Sequence, residues 1–243
     1  MNIAPTDPIY CAIDTDDLDK ARALSKSLAA VNCCIKLGLQ FFNAHGPQGV
    51  KIIRDAHPDL SIFLDLKYHD IPNTVAQAVK AAVPLQVQYI NVHASGGTEM
   101  MRAAKKAAID EADRLGVKAP KVLAVTILTS LSDENLDEIG YRGNSAQQVV
   151  QLAKLTQDAG LDGIVCSPHE ITQVRQVCRD DFILMVPGIR PQSHESGSDD
   201  QKRIMSPAQA INAGASHLVI GRPITQSDDP AQAAQDILKQ ICR

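Results

Sequence analysis

Four charged residues, Lys36, Asp65, Lys67 and Asp70, stand where hydrophobic burial has no use for them. Lys36 is embedded in the apolar run CCIKLGL (33–39), and the other three crowd into FLDLKYHDIPNT (63–74). If the first part of that stretch is a strand, alternation projects Asp65 and Lys67 to one face and Leu66 to the other. A lysine inside an apolar run costs desolvation unless it meets an anion, and Asp65 is the obvious partner for Lys36. Alternating charge along Lys36, Asp65, Lys67 and Asp70 would offset much of the burial penalty and keep Lys67 protonated. A fixed ammonium flanked by carboxylates can stabilise developing negative charge and then deliver a proton. The bland alternative is a structural ion-pair cluster at a rim. Buried ion pairs stabilise little compared with apolar packing, so a cluster this dense is better explained by function.

The elements that must position these groups can be read from the apolar runs. They are PIYCAID (8–14), CCIKLGL (33–39), SIFLDLK (61–67), YINVHA (89–94), KVLAVTIL (121–128), DGIVCSP (162–168), FILMVPGI (182–189) and HLVIGRPI (217–224). Several are apolar nearly throughout, as parallel strands covered on both faces are. Helical patterns fill the intervals at 17–30, 47–56, 73–83, 98–115, 145–159, 169–178, 206–213 and 230–241. Ser206-Pro207 has the form of an N-cap followed by proline at the first helical position, and Asp229-Pro230 repeats it. Gly160 and Gly214 follow helical runs, as C-cap glycines do. Strand and helix alternate at about 30 residues per unit, the pattern of a (β/α)₈ TIM barrel. An open doubly wound sheet shares the alternation, but no GxGxxG follows the first strand. No linker divides the chain, so one barrel domain over 1–243 is expected. The polar stretch RPQSHESGSDDQK (190–202) reads as a mobile loop after the seventh strand.

In such a barrel the active site lies at the C-terminal ends of the strands. The residues to weigh there include Asp14, Lys36, Asp65, Lys67, His93, Thr129, Ser130, Pro187, Gly188, Arg190, Gly221 and Arg222. Barrels often bind phosphate after strands seven and eight, which here end in PGIR (187–190) and VIGRPI (219–224). Gly221 would let an anion approach the main chain, and Arg222 and Arg190 would supply directional donors. On their own, a glycine in a turn and a surface arginine are ordinary. LTS (128–130) carries two hydroxyls, or is simply a turn. His69 and His93 lack HExxH-type spacing, so no metal site is expected and His93 reads as a packed barrel residue.

Composition bounds the rest. The chain has 243 residues, 44% hydrophobic and only 3% aromatic, without Trp, so its core must be built from Val, Ile, Leu and Ala. Net charge is −4 and no dense Lys/Arg run appears, which disfavours a nucleic-acid partner. The six cysteines form no CxxC pair and read as reduced thiols; Cys33 and Cys34 would point to opposite faces of a strand. The start, MNIAPTDPIY, lacks the pattern of a signal peptide. No apolar run approaches the roughly 18 residues that suggest a membrane span. A cytoplasmic protein without membrane contact is expected.

FLDLKYHDIPNT resembles the D-x-K-x-x-D-I-P-x-T signature of the orotidine 5'-phosphate decarboxylases. The likeness extends through AID, IKLGLQFF, NVHASGG, AVTILTS, GLDGIVCS, PGIR and VIGRPIT, in order along nearly the whole chain. The resemblance implies decarboxylation of orotidine 5'-monophosphate to uridine 5'-monophosphate, in pyrimidine biosynthesis, with no metal or organic cofactor. It implies a charge network of Lys36, Asp65, Lys67 and Asp70, with Lys67 protonating C6. It further implies a homodimer in which Asp70, Ile71 and Thr74 reach the neighbouring subunit's site. By the same resemblance Asp14 and Lys36 meet the ribose, and Thr129 and Ser130 meet the pyrimidine edge. Pro187, Arg190, Gln201, Gly221 and Arg222 belong to the phosphate end.

Two other readings remain open at this level. A metal-using sugar-phosphate enzyme on the same barrel would keep a DxK strand with different surroundings. A non-catalytic phosphate-ligand-binding barrel would have no need for the clustered charges.

Overall fold

The computed structural model describes residues 8–190 and 205–241. Eight parallel strands close into a barrel in chain order. They are β1 (Ile9–Ile13), β2 (Cys34–Gly38), β3 (Ile62–Tyr68), β4 (Tyr89–His93), β5 (Lys121–Val125), β6 (Gly163–Val165), β7 (Ile183–Val186) and β8 (His217–Ile220). The helices are α1 (Leu18–Ala29), α2 (Leu39–Ala56), α3 (Pro72–Ala82), α4 (Gly97–Leu115), α5 (Asp133–Glu138), α6 (Ser145–Asp158), α7 (Ile171–Arg175), α8 (Pro207–Ala213), α9 (Arg222–Thr225) and α10 (Pro230–Ile241).

Strand alternation generates two nested cores. Outward residues such as Ile9, Cys11, Ile13, Ile35, Leu37, Ile62 and Leu64 join the helices in the larger one. Burying each large aliphatic side chain contributes about 1.5–3 kcal/mol. Inward residues Tyr10, Ala12, Cys34, Phe63, Tyr89, Leu123, Ile183, Met185 and Val219 fill the barrel itself. Tyr10, Phe63 and Tyr89 meet edge to face, their ring centroids 5.6–6.5 Å apart. The Tyr89 hydroxyl lies 3.0 Å from His217 Nε2. One inward step further along the strands, the same face turns polar: Lys36 follows Cys34, Asp65 follows Phe63 and Asn91 follows Tyr89. Cys33 and Cys34 divide between the two cores, as their alternation requires, and every cysteine among the described residues is buried.

Caps fix the helix ends. Ser206 accepts from the Gln209 amide, with Pro207 opening α8, and Asp229 accepts from the Gln232 amide at the start of α10. Gly160 and Gly214 take left-handed backbones, with φ of 83° and 112°, just beyond α6 and α8.

Several boundaries differ from the sequence-based expectation, each for a local reason. The helix expected at 47–56 begins at Leu39 and is broken at Gly46 (φ 59°, ψ −162°), immediately before Pro47. Phe41 is buried, which draws the earlier turns into the helix. β7 stops at Val186 because Pro187 cannot donate to a ladder, and β8 stops at Ile220 because Pro223 opens the short α9 instead. β5 and β6 likewise end at Val125 and Val165, short of the predicted 128 and 168. α5 was not expected; a reciprocal cap between Ser132 and Asn135 defines it.

Candidate active site

The inward polar step gathers four charges into one line. Lys36 Nζ lies 3.3 Å from Asp14 Oδ1 and 3.3 Å from Asp65 Oδ2. Lys67 Nζ lies 2.7 Å from Asp65 Oδ1. The order is therefore Asp14, Lys36, Asp65, Lys67, with alternating sign and no net charge. Lys36 and Asp65 are each only 8% exposed, while the Asp14 side chain is 57% exposed and opens the line to solvent. Burial alone would raise the Asp65 carboxyl. Lys36 and Lys67, with hydrogen bonds from Lys67 and Asn91, outweigh burial and hold it below its ordinary range. Asp65 is thus ionised at neutral pH.

The β3–β4 pairing explains how Lys67 comes to its position. Leu64 pairs with Ile90 and Tyr68 with Val92, so β3 advances four residues while β4 advances two. The extra length is a bulge, which re-aims side chains. Lys67 within it has φ 51°, a left-handed backbone that costs a residue bearing a Cβ roughly 1–2 kcal/mol. Its amide donates to Asn91 Oδ1 at 2.8 Å, and Asn91 Nδ2 donates to Asp65 Oδ1 at 2.7 Å. Asn91 is fully buried.

Gly38 pairs with Asp65 across β2 and β3. A Cβ there would lie 3.0 Å from Lys36 Nζ and 3.2 Å from Asp14 Oδ1. The absence of a side chain is what gives that ion pair its room. Neither Asn91 nor Gly38 was singled out from sequence. The available signal for Asn91 was a polar residue at an inward position within YINVHA, since buried polar residues are the informative ones.

The remaining predicted residues that the structure describes follow the C-terminal ends of β3, β5, β7 and β8. Asp70 is exposed at the start of α3, where it accepts from the Ile71 amide at 2.6 Å. Among the described residues it forms no ion pair with Lys67, so within one chain the fourth charge is Asp14. Ile71, 67% exposed, and Thr74, also exposed, share that helix start. Thr129 and Ser130 are exposed in the turn after β5, Pro187 and Arg190 are half-buried after β7, and Gly221 leads into exposed Arg222 at α9. Gln201 and most of the 190–202 loop lie outside the described residues. His93 stacks on His69 with ring centroids 5.3 Å apart. Burial, then His69 and Lys67, push its pKa down against a pull from Asp65, which favours a neutral ring. Among the described residues, no group of three or more His, Cys, Asp or Glu could hold a metal ion, and no helix is long and apolar enough to cross a membrane. A cleft of about 360 Å³, lined by residues including Cys34, His57, Asp59 and Ser61, contains none of the four charges.

Residues 7–237 match the profile of the Orotidine 5'-phosphate decarboxylase / HUMPS family. The chain belongs to this family. It is 50% identical over 234 residues to an orotidine 5'-phosphate decarboxylase of Rhodospirillum rubrum, covering 96% of this chain and 94% of that one. It is 48% identical to the enzyme of the same name from Paramagnetospirillum magneticum, covering 96% and 98%. Among solved structures, orotidine 5'-phosphate decarboxylase from Lactobacillus acidophilus superposes with a TM-score of 0.86 at 36% identity, over 98% of this chain and all of that one.

Proposed function

We propose that this protein decarboxylates orotidine 5'-monophosphate to uridine 5'-monophosphate and carbon dioxide, without a metal or organic cofactor, as a cytoplasmic enzyme of pyrimidine biosynthesis. The observation that carries the reading is the line Asp14–Lys36–Asp65–Lys67 on the inner face of a barrel of this family, ending in an ammonium 2.7 Å from a buried carboxylate. When the C6–carboxyl bond breaks, its electron pair stays on C6, in an orbital the ring delocalises poorly. The fixed Lys67 ammonium stabilises that pair and then protonates it, leaving a neutral amine that solvent recharges. Asp65 and Lys36 hold the ammonium in place before the reaction, so little reorientation is needed at the transition state. Asp65 beside the substrate carboxylate would also raise the ground state.

Asp14 and Lys36 take the ribose hydroxyls in this reading, Thr129 and Ser130 the pyrimidine edge, and Pro187, Arg190, Gln201, Gly221 and Arg222 the phosphate end. The working unit is a homodimer in which Asp70, Ile71 and Thr74 complete the neighbouring site. The exposure of Ile71 and the lack of an Asp70–Lys67 pair within the chain support that arrangement. Phosphate binding far from C6 would drive closure of the site, so a truncated substrate should lose turnover as well as affinity.

The test is the absorbance change of orotidine 5'-monophosphate with protein dialysed against EDTA. Conversion to uridine 5'-monophosphate undiminished by chelation is expected. No conversion by folded protein would overturn the reading and favour a metal-dependent sugar-phosphate activity, assayed next with magnesium and keto-sugar phosphates.

A further inference from the structure

Asn91 is a fully buried side chain that touches both ends of the Asp65–Lys67 pair. Its carbonyl oxygen accepts from the Lys67 backbone amide at 2.8 Å, and its amide nitrogen donates to Asp65 Oδ1 at 2.7 Å. The same carboxylate oxygen receives Lys67 Nζ at 2.7 Å. The contacts form a closed loop: backbone amide, Asn91, Asp65, ammonium, and back along the lysine side chain. A backbone N–H demands an acceptor and a carboxylate demands a donor, so the primary amide is used at both of its ends. The loop sits where the β3–β4 ladder slips by two residues and Lys67 turns left-handed. The bulge takes the Lys67 amide off the regular ladder, and Asn91 supplies the partner.

We propose that Asn91 is a positioning residue for the decarboxylation described above: it holds the left-handed backbone of Lys67 and the rotamer of Asp65 together, and so aims the ammonium. The inference rests on that functional reading, because it concerns the placement of that reading's proton donor. A displacement on the order of 1 Å at such a group costs about 100-fold in rate. Asn91 is buried and its hydrogen bonds go to Lys67 and Asp65, so its loss acts first on the reacting end.

The experiment measures turnover and uridine 5'-monophosphate affinity for the unsubstituted protein, Asn91→Ala and Asn91→Asp, with circular dichroism as the check on folding. Asn91→Ala is expected to lower kcat about 100-fold while changing nucleotide affinity less than about threefold. Asn91→Asp preserves the volume but can reproduce the donor only as a carboxylic acid, in contact with Asp65. Two carboxyl groups sharing a site raise one pKa, so its active form carries an extra proton and its kcat falls as pH rises through that raised value. The other titratable groups around this point are Asp14, Lys36, Lys67, His69 and His93, all common to both proteins, so the new limb would belong to the substitution. A merely structural role would move stability without creating that limb.

Retention of kcat within about threefold in folded Asn91→Ala, well short of the 100-fold positioning effect, would overturn the proposal. So would an Asn91→Asp profile superimposable on that of the unsubstituted protein. If Asn91→Ala does not fold, the Asn91→Asp profile decides; if neither folds, Asn91 is a folding residue and the proposal fails. Absence of turnover in the unsubstituted protein would be a separate result, removing the functional reading and this inference with it.

Discussion

Replacing Asp65 by Asn removes the centre of the charged line while nearly preserving its shape. Asp65 accepts from Lys67 Nζ and Asn91 Nδ2 on one oxygen and faces Lys36 Nζ on the other. An amide can satisfy only one side. If its oxygen keeps the Lys67 and Asn91 contacts, its NH₂ group faces the Lys36 ammonium at a separation set by the present 3.3 Å, donor against donor. The opposite orientation sets it against two donors. Breaking a buried ion pair by removing one partner costs about 3–5 kcal/mol. The lower end, about 3 kcal/mol, applies here, because Lys36 retains Asp14 at the solvent side. For a chain of this size that corresponds to a fall in Tm of roughly 6–12 °C.

The pH dependence has a definite sign. The folded-state pKa of Asp65 lies below its ordinary 3.8, so its ionisation contributes stability above that value, and the contribution is lost as pH falls through the folded-state value. The deficit of Asp65→Asn should therefore be full at pH 7 and shrink in acid below 3.8. Thermal melts followed by circular dichroism at both ends of this range provide the assay. An unchanged or raised Tm at pH 7 would refute the reasoning, because the charges would then be no better satisfied with Asp65 than without it.

Four further outcomes are expected. Lys67→Ala should abolish turnover of orotidine 5'-monophosphate, and near-normal rates would remove Lys67 as proton donor. Mixing Lys67→Ala with Asp70→Asn protein should restore activity, since one of the two sites in a heterodimer would carry neither defect; no recovery after verified subunit exchange would argue against a shared site. Arg222→Ala should raise KM for the phosphorylated nucleotide far more than for orotidine, whereas equal losses would detach Arg222 from the phosphate. Gly38→Ala should lower kcat/KM by about 10-fold or more, an effect of roughly 1.4 kcal/mol, because its Cβ would sit 3.0 Å from Lys36 Nζ; unchanged kinetics would mean that the Lys36–Asp14 pair moves aside freely.

The barrel and most of the charged line were legible because both follow from local pattern. Continuous apolar runs announced covered parallel strands, and Lys36 and Asp65 stood out because an isolated charge in such a run needs a partner. Period-two alternation also set Asp65 and Lys67 on one face. It did not reveal the bulge that intervenes, because the slip arises in the pairing of β3 with β4 and is supported by Asn91, 24 residues from Lys67 in sequence. The alternating line was expected to continue to Asp70, but within the chain its outer member is Asp14. That pairing depends on β1 lying beside β2, a relation that no local spacing encodes. The role of Gly38 was hidden similarly, since its lack of a side chain matters only once Lys36 and Asp14 converge beside it.

The aromatic packing within the barrel has a consequence for traffic. Tyr10, Phe63, Tyr89 and His217 fill the barrel interior beneath the charged line, so among the described residues a molecule seated against Lys67 would meet packed rings at its rear. Under the proposed reaction, carbon dioxide and nucleotide must leave through the doorway by which the substrate came in. With the substrate carboxylate beside buried Asp65, as that reaction requires, the gas would form behind the larger product and would have to slip past it or wait for it. Any cover over that doorway would then govern both departures, and would set how long the newly formed carbon dioxide stays beside the carbon it has just left.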